Sequence, residues 1–516
     1  MEITKANTRN IKIPLLLVLF FLIIMNGCKN QQKEESSSYD KPNIIYILAD
    51  DLGYGDIEAY NPKSEIPTPN LNELAEQGIR FTDAHSNSAV CTPTRYGTLT
   101  GEYSFRTRLK NGVLWGYGKP LIEKDKETVA SFLKKNGYTT ACIGKWHLGL
   151  GWVKKDPSKE IPNIQWDDKV TPDLDDNVDY SKPVSDGPQE HGFDYSYIIP
   201  ASLDMVPYCY LRNGKTVEAP YDYTSGKYED THGRGIFWRE GPVSPDFDFE
   251  RVLPNFIDTA CQYIKNHSES EEPFFLYLPL PAPHTPWLPT EKYQGLSEAG
   301  TYGDFVAMVD DQVGKVISTL ESLDLQDNTM IIFTSDNGAD WRPEDIDEYG
   351  HLANYIYKGR KADIYEAGHR IPFIFRWDDI IDKNAVSDEI MCSTDLMATL
   401  AGMLKVDLPE NAGQDSYNMW PAIVGEKYNS PIRDYTIHHS AWGYFSIRKG
   451  DWKYTPHLGS GGFTVPKKIE STANMAPGTL YNLRSDPGER NNLYKEHPEL
   501  VRELSTLLEP YQKIGE

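Results

Sequence analysis

NIIYILADDLGYGD, residues 43–56, decides the fold class. Asn43 to Ala49 is a continuous stretch rich in β-formers, apolar from Ile44 onward with no polar residue at alternate positions. That pattern belongs to a strand buried on both faces, as in the middle of a parallel sheet. The run breaks at two consecutive aspartates, Asp50 and Asp51, and at glycines that mark a turn.

Working outward, the elements alternate. TPNLNELAEQG predicts a helix with Thr68 as N-cap, Pro69 at its first position, Leu71, Leu74 and Ala75 on its apolar face and Gly78 past its end. A helix near Glu127 to Asn136, closed by Gly137, leads to a strand near Thr139 to Ile143. Asp248 to His267 is predicted helical and FFLYLPL, Phe274 to Leu280, extended. Between Tyr302 and Leu323, Phe305, Met308, Val309, Val313, Val316, Ile317 and Leu320 form a helical stripe. TMIIFTS and IPFIFRW read as further strands, and Thr394 to Leu404 as a helix. Such alternation predicts an α/β fold with a doubly wound, mostly parallel sheet. From Pro431 the pieces become short and strand-like, ending in a helix at Pro498 to Leu508, which predicts a smaller antiparallel sheet with one helix packed on it. The irregular, aromatic stretch from Gly151 to Gly241 has the character of an insertion that carries substrate contacts.

The 516 residues and 39% hydrophobic content suit one large core with a smaller appended unit. A net charge of -24 argues against nucleic acid as a partner, and requires any anionic substrate to meet a locally basic pocket. Lys5, Arg9 and Lys12 precede IPLLLVLFFLIIM, a run of signal-peptide length. It ends in MNGC, which resembles the lipobox of bacterial lipoproteins, with Cys28 the lipidated residue; an ordinary secretory signal is the alternative. The following KNQQKEESSSYD is a polar tether whose KEE resembles an export signal of bacterial surface lipoproteins. The expected organisation is a leader over 1–27, a tether over 28–40, a catalytic domain over 41–430 and a C-terminal α+β subdomain over 431–516, lipid-anchored to an outer membrane on its periplasmic or outer face. The remaining cysteines, Cys91, Cys142, Cys209, Cys261 and Cys392, form no CxxC pair and no disulfide framework.

Ligands in open α/β sheets gather at the carboxyl ends of the strands. Here those ends carry Asp50 and Asp51, then Lys145 and His147 in GKWHLG, His284 in PHTP, and Asp336 and Asn337 in SDNG. Three carboxylates and an amide offer oxygen ligands alone, which suits a hard cation such as calcium or magnesium and not zinc. Each aspartate taken singly also reads as a helix N-cap. Lys145, His147, His284 and a lysine of YKGRKADIYEAGHRIPF would make an anion pocket beside that ion, helped by the helix start suggested after Cys91.

CTPTRYGTLTG, from Cys91 to Gly101, resembles the Cys-x-Pro-Ser/Thr-Arg signature of the formylglycine-dependent type I sulfatases. GKWHLG, PHTP, SDNG and KADIYEAGHRIPF resemble that family's other blocks in the same order, from about Asn43 to Asp415. The resemblance implies an alkaline-phosphatase-like fold and sulfate-ester hydrolysis. It implies oxidation of Cys91 to formylglycine (3-oxoalanine) by a separate maturation enzyme, the hydrated aldehyde attacking sulfur. One calcium ion is implied on Asp50, Asp51, Asp336 and Asn337, shared with the modified Cys91. Arg95 and Lys145 would hold the diol, His147 would bond its second hydroxyl, and His284 would protonate the leaving alcohol. The resemblance implies that the family's last lysine is Lys361, four residues before Tyr365, which would leave Lys358 a surface or rim residue. Thr94 replaces the commoner Ser, and Ala367 stands where the family has Gly.

The expected substrate is a sulfated sugar from a polysaccharide, either algal, such as ulvan, or a host glycan. PASLDMVPYCYL resembles a stretch of sulfatases acting on galactose-type 6-sulfates, making Asp204 and Tyr208 rim candidates, and His438, His439 and His457 are further ones. The alternatives are a phosphonate or phosphate ester hydrolase of the same superfamily and a non-catalytic glycan-binding lipoprotein using Trp238, Trp287 or Trp442.

Overall fold

The computed structural model describes residues 41–162, 176–228, 234–428 and 431–515. The leader, Cys28 and the tether lie outside them. In chain order the large sheet takes β1 (Asn43–Ala49), β2 (Ile79–Phe81), β3 (Thr139–Lys145), β4 (Tyr195–Ile199), β5 (Leu211–Arg212), β6 (Lys215–Thr216), β7 (Phe274–Pro279), β8 (Thr329–Ser335), β9 (Phe373–Arg376) and β10 (Ala385–Ser387). Across the sheet the order is β10, β2, β9, β8, β1, β7, β3, β4, β5, β6. The strands from β8 to β4 in that order are mutually parallel, and antiparallel pairings occur only toward the two edges. β1 is central, with Ile47 beside Leu278 on one side and Phe333 on the other. Every residue of β1, β7 and β8 is buried, so both faces of the sheet are covered.

The covering helices form two groups. α1 (Pro69–Glu76) and α4 (Val252–His267) pack on α5 (Gly300–Glu321), whereas α2 (Cys91–Thr100) packs against α3 (Val129–Lys135) and α7 (Leu396–Leu404); between them in sequence, α6 (Glu366–His369) is a single turn. The cap of α1 departs from expectation. The Thr68 hydroxyl accepts from the Glu58 amide, and the Asp310 carboxylate of α5 accepts from Asn70 and Leu71 at 3.2 and 2.8 Å instead. A buried carboxylate brought in by tertiary packing thus replaces the local cap.

The four-stranded antiparallel sheet comprises β11 (Thr436–His439), β12 (Phe445–Lys449), β13 (Trp452–Thr455) and β14 (Thr479–Asn482). α8 (Pro498–Gly515) covers it: Leu504 and Leu508 join Ile437, Ile447 and Leu480 in one cluster with Tyr103 and Phe105. The described part of the insertion holds short two-stranded ladders, pairing 222–224 with 241–243 and 227–228 with 237–238.

Candidate active site

Parallel neighbours end at the same edge of a sheet. β1, β3, β7 and β8 therefore deliver Asp50 and Asp51, Lys145 and His147, His284, and Asp336 and Asn337 to one place. Cys91 enters as the first residue of α2, with Arg95 one turn on, and Lys361 arrives on the loop before α6. Close strand approach has a steric signature at Gly144, where a Cβ would stand 1.9 Å from the Pro279 carbonyl oxygen. Asp51, His147 and Ala362 adopt φ of 66, 56 and 75°, a left-handed backbone that non-glycine residues hold only when packing enforces it.

The charged groups interleave. Lys145 Nζ donates to Asp50 Oδ2 at 2.6 Å, Lys361 Nζ to Asp51 Oδ2 at 2.7 Å, and Arg95 Nη2 to Asp336 Oδ2 at 2.7 Å. Arg95 Nη2 also lies 3.5 Å from Asp50 Oδ1, and Arg95 Nη1 donates to the Lys145 carbonyl at 3.0 Å. Asn337 Nδ2 donates to Asp51 Oδ1 at 2.7 Å, and the Asp51 amide to Asp336 Oδ1 at 3.2 Å. His284 Nε2 is 3.7 Å from Asp51 Oδ2, with its Nδ1 2.6 Å from the Thr285 carbonyl oxygen. His147 Nε2 lies 2.7 Å from the Leu114 carbonyl oxygen, so that nitrogen carries the hydrogen and Nδ1 is an acceptor. All are buried.

Burial alone would raise the Asp50 carboxyl, but Lys145, His284 and Arg95 override it and hold it well below the usual range. Burial, and next the Asp50 charge, push Asp336 up to about 7. Burial, Lys145 and Arg95 keep His147 neutral, far below its ordinary value. Burial also lifts the Cys91 thiol to about 12, so it is no thiolate at neutral pH despite its place at a helix start.

Two oxygens test whether a cation fits. Asp50 Oδ1 and Asn337 Oδ1 are buried and accept no hydrogen bond among the described residues. Orphaned acceptors beside three carboxylates form an oxygen-donor set suited to a hard divalent cation. Asp50, Asp51, Cys91 and His284 also present ligand atoms within 4.8 Å of one another. The three carboxylates are balanced by Lys145, Lys361 and Arg95, so an added divalent cation leaves a net positive pocket. That is how an acidic protein can hold an anion.

Asp204 and Tyr208 are not open rim residues. Both are buried, and they meet through Arg239, which the sequence reading did not single out. Arg239 Nη1 donates to Asp204 Oδ2 and to the Asp204 carbonyl, each at 2.7 Å, while the Tyr208 hydroxyl takes the Arg239 amide and donates to its carbonyl. Asp204 Oδ1 has no hydrogen-bond partner among the described residues; burial would raise its carboxyl, but Arg239 first, then His284 and Lys145, lower it.

His438 is corrected outright. It is 0% exposed and stacks on His369 with ring centroids 3.8 Å apart. Its cluster with His85 and His369 already contains a cation, because Lys453 Nζ lies 3.2 Å from His369 Nε2 and 3.1 Å from Glu366 Oε2. His439 is likewise buried, against Phe105 and Phe445. On β11 the His438 ring packs against His85 and His369, which lie far from it in sequence. His457 is half-buried and stacks on Tyr444. Trp238 stacks on Phe249 and Trp287 packs on Tyr302, whereas Trp442 is 49% exposed. Ala367 is tolerated because the demanding position is Gly368, where a Cβ would stand 2.1 Å from the Asp363 carbonyl oxygen.

Asp56 is a second residue that sequence reading missed. It accepts from the Gly53 amide at 2.6 Å and the Tyr302 hydroxyl at 2.5 Å, and pairs with His351 Nε2 at 2.8 Å, which fixes the loop carrying Asp50 and Asp51. Its sequence signal was its place in DDLGYGD.

The sulfatase family model matches residues 42–406. An N-acetylgalactosamine-6-O-sulfatase of Bacteroides thetaiotaomicron is 35% identical over 534 aligned residues, covering 96% of this chain and 98% of its own. Human steryl-sulfatase is 29% identical, covering 94% and 88%. A structure from a study of the metabolism of multiple glycosaminoglycans by Bacteroides thetaiotaomicron superposes with a TM-score of 0.77 at 35% identity, covering 92% of this chain and all of the other.

Proposed function

The chain belongs to the sulfatase family and is a sulfuric ester hydrolase; from that premise we propose that the esters it cleaves are carried by sugars released from a sulfated polysaccharide. The observation that supports cleavage of a sulfate ester is the interleaved set of three carboxylates and three cations around Cys91 at one sheet edge, and the sugar is supported by the relatives. The Bacteroides relative, named for a 6-sulfated amino sugar, supports a pyranose 6-sulfate of the galactose type.

Asp50, Asp51, Asp336 and Asn337 would hold a calcium ion, which supplies positive charge to the sulfate oxygens. Oxidised to formylglycine by a maturation enzyme that reads its CTPTR context, Cys91 would supply an oxygen nucleophile where a thiol held at about 12 supplies none. The chain's own residues do the rest. Arg95, Lys145 and Lys361 are buried cations already fixed by carboxylates, so they meet an anion without reorganising. His147 Nδ1, neutral and without a hydrogen-bond partner among the described residues, would be an acceptor for a hydroxyl hydrogen beside Cys91. His284, anchored at Nδ1 on the Thr285 carbonyl, offers Nε2 to the departing alcohol as a proton donor. Asp204 Oδ1, buried and without a hydrogen-bond partner among the described residues, would accept a hydroxyl of the sugar, with Arg239 holding it in place. The leader motif supports a lipid anchor at Cys28 and a site of action at the outer membrane, on the periplasmic or outer face.

The test is a mass spectrum of the tryptic peptide Phe81 to Arg95 from chain co-expressed with a maturation enzyme, followed by turnover of a panel of sulfated sugars. We expect the aldehyde in place of the thiol, and release of sulfate that Cys91→Ala abolishes. An intact thiol alongside full turnover would overturn the assignment.

A further inference from the structure

A cavity of about 710 Å³ opens between the segment from Leu352 to Lys358 and the turn from Gly488 to Arg490 that follows β14. Its volume lies within the range of ~300–1,000 Å³ typical of small-molecule sites. Tyr355, Tyr357 and Tyr481 line it, with the 47% exposed Ile356 also in its wall. Lys358 and Arg490 supply two cations.

The chain as a whole carries a net charge of -24, whereas the charged residues of this lining are Lys358, Arg490 and Glu489. Lys358 Nζ lies over the Tyr365 ring, 4.1 Å from its centroid, and donates to the Glu489 carbonyl at 3.2 Å. No carboxylate lies within 4.0 Å of it among the described residues. The nearby acid is engaged elsewhere: Glu489 Oε1 pairs with Lys453 at 3.2 Å and Oε2 accepts from the Glu366 amide at 2.7 Å. A half-buried ammonium without a contact carboxylate is an anion site in waiting. Tyrosine faces beside it suit a sugar ring.

The walls are also strained in a directed way. Tyr355 has φ of 56° and Glu489 φ of 48°, so each wall holds one non-glycine residue in the left-handed region. Such conformations cost of order 1–3 kcal/mol each and gather at functional sites. The Tyr355 segment is pinned rather than loose: a Cβ on Gly55 would stand 2.1 Å from the Leu352 carbonyl oxygen, and Tyr54 packs on both Tyr355 and Tyr357. The cavity is therefore preformed. Lys358 takes no part in the candidate active site, where Lys361 occupies the lysine position.

We propose that this cavity is a second, non-catalytic binding site for a sulfated saccharide, whose ring lies against the tyrosines and whose sulfate takes Lys358 and Arg490 as counterions. The choice of a sugar and an anion follows from the lining, and the choice of sulfate rests on the proposed function. A site of this kind would hold one residue of a polymer while another is processed.

The test titrates N-acetylgalactosamine 6-sulfate into the full chain carrying Cys91→Ala, by calorimetry. Two sets of sites are expected. Lys358→Gln with Arg490→Gln should weaken one set by about tenfold or more, as loss of charge-assisted hydrogen bonds predicts. The same pair in the Cys91 chain should leave kcat/KM on that sugar unchanged, and unsulfated N-acetylgalactosamine should fill the second set at least tenfold more weakly. A single set of sites, lost in Lys361→Ala and unaffected by the Lys358 and Arg490 changes, would overturn the second site and leave the proposed function standing. A single set with the opposite dependence would support the cavity and remove the active-site reading for this sugar. Absence of binding at either place would refute both for this class of sugar.

Discussion

Replacing Lys145 with methionine tests the electrostatic design most directly. Its ammonium sits 2.6 Å from Asp50 Oδ2, and neither side chain is exposed. Methionine preserves most of the volume and removes the charge. What remains for Asp50 is the field of His284 and Lys361, and Arg95 Nη2 at 3.5 Å, already committed to Asp336, with an Oδ1 that has no hydrogen-bond partner among the described residues. Removing one partner of a buried ion pair costs about 3–5 kcal/mol, chiefly because the other charge is left uncompensated. Asp50→Asn should cost a similar amount by stranding Lys145. The double variant removes both charges, so its loss should fall short of the sum by about 2–3 kcal/mol. Equilibrium urea unfolding of the four proteins in chelator measures this coupling. Repeating it with calcium should shrink the Lys145→Met loss, since Asp50 would then have a second cation. Additivity within about 0.5 kcal/mol in chelator would refute the argument.

Chelation should remove turnover and lower the thermal midpoint, with both restored by calcium; at a hundredfold excess over Kd the ligand contributes about 2.7 kcal/mol. A chelated enzyme that keeps full activity and midpoint would place no metal here. Asp204→Asn should raise KM on a sugar sulfate by about tenfold with kcat largely kept, because it weakens an acceptor away from sulfur. An equal fall in kcat and kcat/KM would instead assign Asp204 to the chemistry. Acid stability should report His439, which burial lowers to about 4 from an ordinary 6.5. The unfolded chain then binds the extra proton between those values, so this stabilisation is complete above pH 6.5 and lost as pH falls toward 4, by about 3 kcal/mol. His439→Leu should flatten that part of the unfolding curve, and an unchanged slope would exclude the assignment.

Much of the fold was legible because its elements announce themselves locally. The runs Asn43 to Ala49 and Thr329 to Ser335 are strands buried on both faces, as is Phe274 to Pro279, one residue short of the expected end at Leu280, and the stripe from Phe305 to Leu320 lies on α5. Where a local signal competed with a distant group, sequence reading failed. Thr68 looks like a cap in isolation, yet Asp310 takes the amides, and nothing between residues 68 and 310 announces that meeting.

The candidate site divides the same way. Sequence alone determined which residue types stand at the strand ends, because a parallel sheet sends all its carboxyl ends to one edge whatever the intervening loops do. It therefore presents Asp50, Asp51, Lys145, His147, His284, Asp336 and Asn337 as one group. Only the tertiary structure decided which charge neutralises which, that Arg239 joins Asp204 to Tyr208, and that His438 lies stacked inside rather than at the rim. Those facts depend on contacts between residues far apart in the chain, and burial, which sets both their charge states and their access to substrate, is a property of the packed molecule and not of any segment in it.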